Sequence, residues 1–134
     1  MSKVTSGSLD MLVDNTGRTY TLPALDVDFE EFQQIFNINV FSVMRMCSAF
    51  APLLIEAKGS IVQIGSLASV VPNVFGSVYN ATKAALLAYS NTLRVELAPY
   101  GVKVISVVTG GVKSNIFKGE KALPADSLYL PVWE

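Results

Sequence analysis

The sequence predicts an α/β fold in which a parallel sheet is assembled from strands that alternate with two long helices. Three short apolar runs each end at small or turn-forming residues, a pattern typical of strands covered on both faces. Two longer stretches repeat apolar residues every three or four positions, as amphipathic helices do. Because connections in such folds are short and right-handed, this order predicts a βαβαβ unit arranged in three layers.

The strands are predicted over residues 9–13, 60–65 and 103–108. The turns that follow them contain Asn15-Thr16-Gly17, Gly65-Ser66 and Gly110-Gly111. In parallel sheets, ligands bind beyond the carboxyl ends of the strands, and all three turns are expected there. The sequence therefore predicts a site at this edge of the sheet.

The first helix is predicted to begin after Asp28, whose carboxylate can accept hydrogen bonds from free backbone N–H groups. Glu31 completes an acidic variant of the capping box. Pro52 is expected to end or kink this helix, because proline lacks the backbone N–H donor. The apolar positions that define its inner face are Phe29, Phe32, Phe36, Val40, Val43, Cys47, Phe50 and Leu54.

The second helix is predicted over residues 77–98. Pro99 and Gly101 supply the stop signals that usually follow a helix. Residues 112–134 have no regular pattern of apolar residues and are expected to form a flap or a loose tail.

Composition narrows the classes of function. The 134 residues suit one domain, 51% of them are hydrophobic, and the formal charge of −1 comes without a basic run, so no nucleic-acid partner is expected. No apolar stretch of about eighteen residues is uninterrupted, so no membrane span is expected. The single cysteine, Cys47, cannot form an intrachain disulfide, which suits an intracellular, cytoplasmic protein. The absence of histidine disfavours a serine hydrolase, and no metal site is predicted.

The segment with most chemical content is Tyr79-Asn80-Ala81-Thr82-Lys83. Tyr79 and Lys83 are four positions apart on a predicted helix, so their side chains share a face. A phenol titrates near 10, and a neighbouring ammonium favours its ionised form, which brings proton exchange closer to neutral pH. The spacing alone is weak evidence, because most such pairs are a tyrosine beside a solvated lysine.

Further landmarks appear in a fixed order along the chain. Ser66 ends the second strand, thirteen positions before Tyr79, and Asn39 lies within the first helix. The turns at 14–17 and 109–114 complete the set. In this order and spacing, residues 8–118 resemble the short-chain dehydrogenase/reductase family. The stretches 70–79 and 108–115 are most similar to fungal acyl-dihydroxyacetone-phosphate reductases and their relatives in secondary metabolism.

The resemblance implies a role for each residue. Tyr79 would be the general acid in carbonyl reduction and the general base in alcohol oxidation. Ser66 would hydrogen-bond the substrate oxygen, and Lys83 would favour the ionised phenol and bind ribose hydroxyls. Asn39 would hold a water molecule in the proton relay. The residues expected to bind the cofactor are Asn15, Tyr79, Lys83, Val112 and Ser114.

Simpler structural roles are open for the same residues. Ser66 could cap a turn, where serine is common. Asn39 could be a polar residue inside a helix that bonds a backbone carbonyl. Asn15 could simply form the turn, and Val112 could be an ordinary packing residue.

The sequence departs from the family at its front end. Members begin with a strand and a Gly-x-x-x-Gly-x-Gly turn that binds the pyrophosphate, and no three glycines here have that spacing. The expectation is a partial Rossmann-like domain over residues 1–134 that lacks the family's first three strands, with 119–134 as an irregular tail. Strand 9–13 would then be an open apolar edge, and the isolated chain would bind NADPH poorly.

Two functions are compatible with these features. The first is an NAD(P)-dependent oxidoreductase that acts on a small molecule by reducing a ketone or oxidising a secondary alcohol, with its activity compromised by truncation. NADP is the expected cofactor, and NAD stays possible. The second is a non-catalytic fragment that associates with itself or with a full-length relative. The resemblance also implies a homo-oligomer formed through the two long helices. Association with lipid organelles is left open by the sequence.

Overall fold

A computed structural model describes residues 6–114, 116 and 122–133. Part of the predicted tail, residues 119–121 and 134, lies outside the described residues. The main elements in chain order are β1 (Met11–Asp14), α1 (Phe29–Phe36), a π-helical turn (Asn37–Phe41), α2 (Ser42–Ala57), β2 (Ser60–Ile64), α3 (Ser77–Leu97) and β3 (Lys103–Val107). Short 3₁₀ turns lie at Leu67–Ser69, Ala98–Tyr100 and Leu130–Val132.

The three strands form one parallel sheet in the order β1-β2-β3. Leu12 is paired with Ile61, and Ile61 with Val104, so buried residues stand side by side across the sheet. The predicted α/β fold with a parallel βαβαβ core is confirmed. The observed strands begin and end within two residues of the predicted bounds.

Helices α2 and α3 cover one face of this sheet. Leu12, Ile61 and Val104 pack against Leu54 of α2 and Leu86 of α3 in the main core cluster. On the opposite face, the described part of the chain places no helix, and the exposed apolar side chains there are Met11, Val13, Ile105 and Val107. The described residues therefore supply two of the three predicted layers. Strand β1 forms an open, apolar edge of this sheet, as predicted.

The first long helix begins where the sequence predicts. Asp28 is its N-cap, and its carboxylate accepts a hydrogen bond from the backbone N–H of Glu31 at 3.0 Å. The helix is not uniform, because the turn Asn37–Phe41 widens into π-helical geometry before α2 continues. The periodic apolar pattern did not reveal this turn.

Pro52 does not end the helix, so that part of the prediction is wrong. Helix α2 continues through Pro52 to Ala57 and ends at Lys58, which has a left-handed backbone with φ of 48°. The turn after Pro52 buries Leu54 completely against the core, and this packing favours continuation. Gly59 follows because a side chain there would lie 2.6 Å from the carbonyl oxygen of Leu9.

The helical run Phe29–Ala57 has 29 residues and contains an 18-residue window with a mean hydropathy of 1.6, so it could cross a membrane by length and composition alone. Core helices meet the same criterion. Ile35, Val40, Val43 and Leu54 of this run are buried inside the domain, and 28% of the apolar window is buried.

The described part of the tail is packed rather than loose. Leu123 contacts a second core cluster formed by Tyr20, Leu22, Ile35 and Val78. The hydroxyl of Ser127 donates a hydrogen bond to the carboxylate of Asp26. These contacts hold residues 122–133 beside the start of α3.

Candidate active site

The turns after the three strands and the start of α3 surround a cavity of about 600 Å³. This volume lies in the range of small-molecule sites. Of the residues predicted for the site, those that line the cavity are Asn15, Ser66, Tyr79, Lys83, Val112 and Ser114. Asn39 does not line the cavity; it is buried next to Gly17, which does. The parallel arrangement of the strands brings these separate turns to one edge of the sheet, as expected.

Lys83 is the buried cation of the site. Its side chain is 5% exposed, and its ammonium nitrogen Nζ donates a hydrogen bond to the carbonyl oxygen of Ile64 at 2.9 Å. The same Nζ lies 5.7 Å from the centre of the Tyr79 ring. Burial lowers the pKa of Lys83 from its ordinary value. An ammonium has three N–H donors, so two remain for groups in the cavity.

Ser66 lies two residues after the end of β2, has an extended backbone and caps the 3₁₀ turn that follows. Its hydroxyl oxygen accepts a hydrogen bond from the backbone N–H of Ala68 at 3.2 Å. Accepting this bond leaves the hydroxyl hydrogen to donate to another group. The capping role and a substrate-binding role are thus compatible in one side chain.

Asn39 joins the turn after β1 to helix α3. Its side-chain oxygen accepts a hydrogen bond from the backbone N–H of Arg18 at 2.8 Å. Its amide group donates to the carbonyl oxygen of Arg18 at 2.9 Å and to the hydroxyl of Thr82 at 3.0 Å. Both amide hydrogens are therefore used within the protein, as in the simpler role for a buried asparagine.

Thr82 is a site residue that sequence reasoning missed. It is fully buried between Tyr79 and Lys83, accepts the hydrogen bond from Asn39, and donates one to the carbonyl oxygen of Tyr79 at 2.8 Å. Its position inside the Tyr-x-x-x-Lys segment is the only signal that the sequence carries. The threonine thus connects Asn39 to the helical turn that bears Tyr79.

Thr109 ties together the turns after β2 and β3. Its hydroxyl donates to the carbonyl oxygen of Gly65 at 2.9 Å, and its own carbonyl accepts from the backbone N–H of Leu67 at 2.8 Å. The threonine hydroxyl therefore adds a side-chain hydrogen bond between the two turns, next to Ser66.

A row of buried polar side chains runs beneath the cavity. The thiol of Cys47 donates to the carboxylate of Asp14 at 3.5 Å, and the amide of Gln63 donates to the sulfur at 3.5 Å. Ser90 of α3 hydrogen-bonds the other end of Gln63. Burial raises the pKa of Asp14, while burial and the Asp14 charge raise the pKa of Cys47 to about 11. Burial also raises the pKa of Tyr89, which faces this row.

The comparisons with known proteins define the class. The family profile described as short chain dehydrogenase matches residues 1–123. The chain belongs to the short-chain dehydrogenase family. It is 50% identical over 136 residues to the short-chain dehydrogenase fogD of Aspergillus ruber. The aligned region covers 100% of this chain and 48% of the relative.

A second relative is the NADPH-dependent 1-acyldihydroxyacetone phosphate reductase of Schizosaccharomyces pombe. It is 49% identical over 135 residues, with 96% of this chain and 46% of the relative covered. The predicted similarity to fungal proteins of this kind is confirmed. The chain spans about half the length of the curated relatives that it matches.

Solved structures place the fold in the same class. A short-chain dehydrogenase from Streptomyces avermitilis superposes with a TM-score of 0.78 at 36% identity, covering 89% of this chain and 44% of that one. A short chain dehydrogenase from Burkholderia cenocepacia, solved in complex with NADP, gives a TM-score of 0.79 at 29% identity, covering 87% and 52%. The predicted Rossmann-like fold, in partial form, is confirmed.

The residues around the cavity fit the nicotinamide and ribose portion of such a cofactor. Gly17 lies opposite Lys83 in the cavity wall, since a Cβ there would be in ordinary contact, at 3.7 Å, with Nζ of Lys83. The Lys83 ammonium, the Asn15 amide and the Ser114 hydroxyl suit ribose hydroxyl groups. Within the described residues, no group of three His, Cys, Asp or Glu could hold a metal ion.

Proposed function

We propose that this oxidoreductase reduces a ketone to a secondary alcohol, or catalyses the reverse oxidation, with Ser66, Tyr79 and Lys83 as its catalytic residues. The observation that carries the proposal is their placement around one cavity, with the Lys83 ammonium 5.7 Å from the centre of the Tyr79 ring. The substrate carbonyl would lie in this cavity, with its oxygen facing both hydroxyl groups.

In the reducing direction, Ser66 donates a hydrogen bond to the carbonyl oxygen through the hydrogen that its Ala68 contact leaves available. A bound reduced nicotinamide supplies the hydride for this chemistry. Negative charge develops on the oxygen, and Tyr79 donates its phenolic proton to it. A general acid in this position contributes about 10²–10⁴-fold to the rate.

Lys83 would favour the negative charge left on Tyr79, because an ammonium stabilises a nearby anion. Its two remaining N–H donors would bind ribose hydroxyls, together with Asn15 and Ser114. Val112 would contribute an apolar contact to the cofactor. Asn39 would act as a positioning residue through Thr82 rather than by touching the substrate, since its amide is fully used.

NADP is the cofactor that we propose. The Schizosaccharomyces pombe relative is described as NADPH-dependent, and the Burkholderia cenocepacia structure holds NADP. A cytoplasmic location belongs to the same proposal, and it is supported by the single unpaired Cys47. A homo-oligomer formed through the two long helices is also part of this proposal.

The test compares two equivalent substitutions in the complete protein. Tyr79→Phe removes only the phenolic oxygen, so ketone-dependent NADPH consumption should fall by about 10²–10⁴-fold while NADPH binding is retained. Tyr100→Phe makes the same change at an exposed tyrosine beyond the far end of α3 and should leave turnover unaffected. Full turnover in the Tyr79→Phe protein would refute the assignment.

A second candidate function is association with another copy or with a longer relative, without catalysis. The observation in its favour is the uncovered apolar sheet face, where Met11 and Val13 are more than half exposed. Titration with NADPH separates the two candidates. Micromolar binding by this chain supports the enzyme, whereas absence of binding together with self-association supports the second candidate.

A further inference from the structure

The outer wall of the cavity is an uncharged loop that carries exposed apolar side chains. Leu67 and Val71 line the cavity, and Val70 and Val74 of the same loop point to solvent. Val74 is 75% exposed. No charged residue occurs from 67 to 82. The loop thus continues the cavity wall outward as an apolar surface.

This loop is held in place by hydrogen bonds, so its exposure is a property of a defined conformation. The Asn80 amide donates to the carbonyl oxygen of Val71 at 3.0 Å. The backbone N–H of Leu22 donates to the carbonyl oxygen of Phe75 at 2.9 Å. Phe75 itself has φ of 60°, which is uncommon for a bulky residue and persists only where its surroundings impose it.

The C-terminal segment extends the same surface. The Tyr129 ring packs edge-on against Phe75 with ring centres 5.9 Å apart, and the Trp133 ring lies 4.8 Å from Phe75. Around these aromatic contacts, Leu128 is 80% exposed, and Leu130 and Val132 are also exposed. We call the combined surface the apolar rim; its members are Val70, Val71, Val74, Leu128, Leu130 and Val132.

We propose that the apolar rim binds the hydrocarbon portion of an amphiphilic substrate whose carbonyl group lies in the cavity at Ser66 and Tyr79. This inference rests on the proposed function and adds the substrate class. Val71 belongs to both the cavity and the rim, so one molecule can contact both. Exposed apolar patches that continue a pocket are typical of ligand-binding grooves. All side chains of the rim are uncharged, so the rim suits a hydrocarbon chain and not a charged group.

Trp133 provides a direct probe, because it is the only tryptophan and contacts Phe75 beside the rim. Its fluorescence is followed while the protein is titrated with straight-chain 2-ketones of increasing length, each below its aggregation limit. We expect the dissociation constant to fall by about two- to fourfold for each added methylene group, up to the length of the rim.

Two variants and a matched control localise the effect. Val74→Ser and Leu128→Ser each remove exposed apolar surface from the rim and should raise the dissociation constant of the longest ketone by about three- to tenfold, with the shortest ketone unchanged. Val95→Ser makes the same change at a valine that is 74% exposed near the other end of α3. It should leave every constant unchanged.

The binding measurement does not depend on turnover, so it separates the rim from the proposed reaction. If binding depends on chain length but no ketone is reduced, the rim proposal is supported and the proposed function is refuted. Affinity that does not depend on chain length, or that keeps its full chain-length dependence in both rim variants, would overturn the rim proposal. A fluorescence change with phosphatidylcholine vesicles alone would also overturn it and assign the rim to a lipid surface.

Discussion

Asp14 carries a carboxyl group and directly precedes the cavity-lining Asn15. Its side chain is buried next to Cys47, and burial raises the pKa of Asp14 above its ordinary value of 3.8. A group that is easier to ionise in the unfolded chain makes stability depend on pH.

The sign of this dependence follows from the raised pKa. Between the unfolded and the folded pKa of Asp14, the folded protein retains a proton that the unfolded chain has lost, so stability falls as pH rises through this window. Asp14→Asn keeps a hydrogen-bond acceptor but cannot ionise. We expect its free energy of unfolding to exceed that of the parent at neutral pH, and the difference to shrink in acid.

Urea unfolding at acid and neutral pH measures this difference. Asp10→Asn, at an exposed position just before β1, is the matched control and should change neither value by more than about 0.5 kcal/mol. A less stable Asp14→Asn protein at neutral pH would mean that the ionised carboxylate stabilises the fold.

Cys47 should react slowly with thiol reagents while the protein is folded. Its pKa is raised from 9.0 to about 11, which lowers the reactive thiolate fraction about 100-fold at neutral pH, and burial of the side chain restricts access further. The release of thionitrobenzoate from an aromatic disulfide reagent, with and without urea, measures the two rates. Native and unfolded rates that agree within about tenfold would contradict this expectation.

At the scale of elements, the π-helical turn Asn37–Phe41 and Asn39 within it fix how the first helix meets the turn after β1 and helix α3. Asn39 makes three hydrogen bonds to Arg18 and Thr82. Their loss would leave buried polar groups unpaired, which is costly in a protein interior. Asn39 therefore contributes to the position of Tyr79 indirectly, through its hydrogen bond to Thr82.

Asn39→Ala should lower the free energy of unfolding by about 2–3 kcal/mol, because the polar groups of Arg18 and Thr82 lose their partner. Asn37→Ala is the comparison, because Asn37 lies in the same turn and has an exposed side chain. This change should lower the free energy of unfolding by less than about 1 kcal/mol. Denaturant titrations of both variants test this. Equal destabilisation by the two changes would show that the turn, and not the hydrogen bonds of Asn39, carries the effect.

At the scale of the whole molecule, the described residues cover the sheet on one face only. Met11, Val13, Ile105 and Val107 leave an apolar surface on the other face, next to the open edge of β1. Parallel strands are usually buried on both faces, and open apolar edges favour pairing with other chains. Under the second candidate function, this face should therefore drive association of the chain as its concentration rises.

Val13→Lys places a charge on this face and should shift the chain toward the monomer in sedimentation velocity experiments over a range of concentrations. Val95→Lys, on the exposed face of α3, tests the helices instead. Dissociation by Val95→Lys and not by Val13→Lys would assign the association to the long helices.

Local patterns in the sequence determined the strands, the long helices and the shared face of Tyr79 and Lys83, because these depend on periodicities of a few residues. They also placed Ser66 and Asn15 at the carboxyl ends of strands. Only the tertiary structure decided that Asn39 contacts Arg18 and Thr82, which are 21 and 43 positions away. Such contacts depend on which helix face meets which turn, and no short-range pattern encodes this.

The tertiary structure also decided the row of buried polar side chains beneath the cavity and the apolar rim. Each brings together residues from separate elements, and their burial or exposure is set by packing across the sheet and by the C-terminal segment. Helix α2 likewise continues through Pro52 because burial of Leu54 in the core outweighs the local cost of proline. Local propensity therefore established the elements and the spacing of Tyr79 and Lys83, whereas long-range packing established the environment of these side chains.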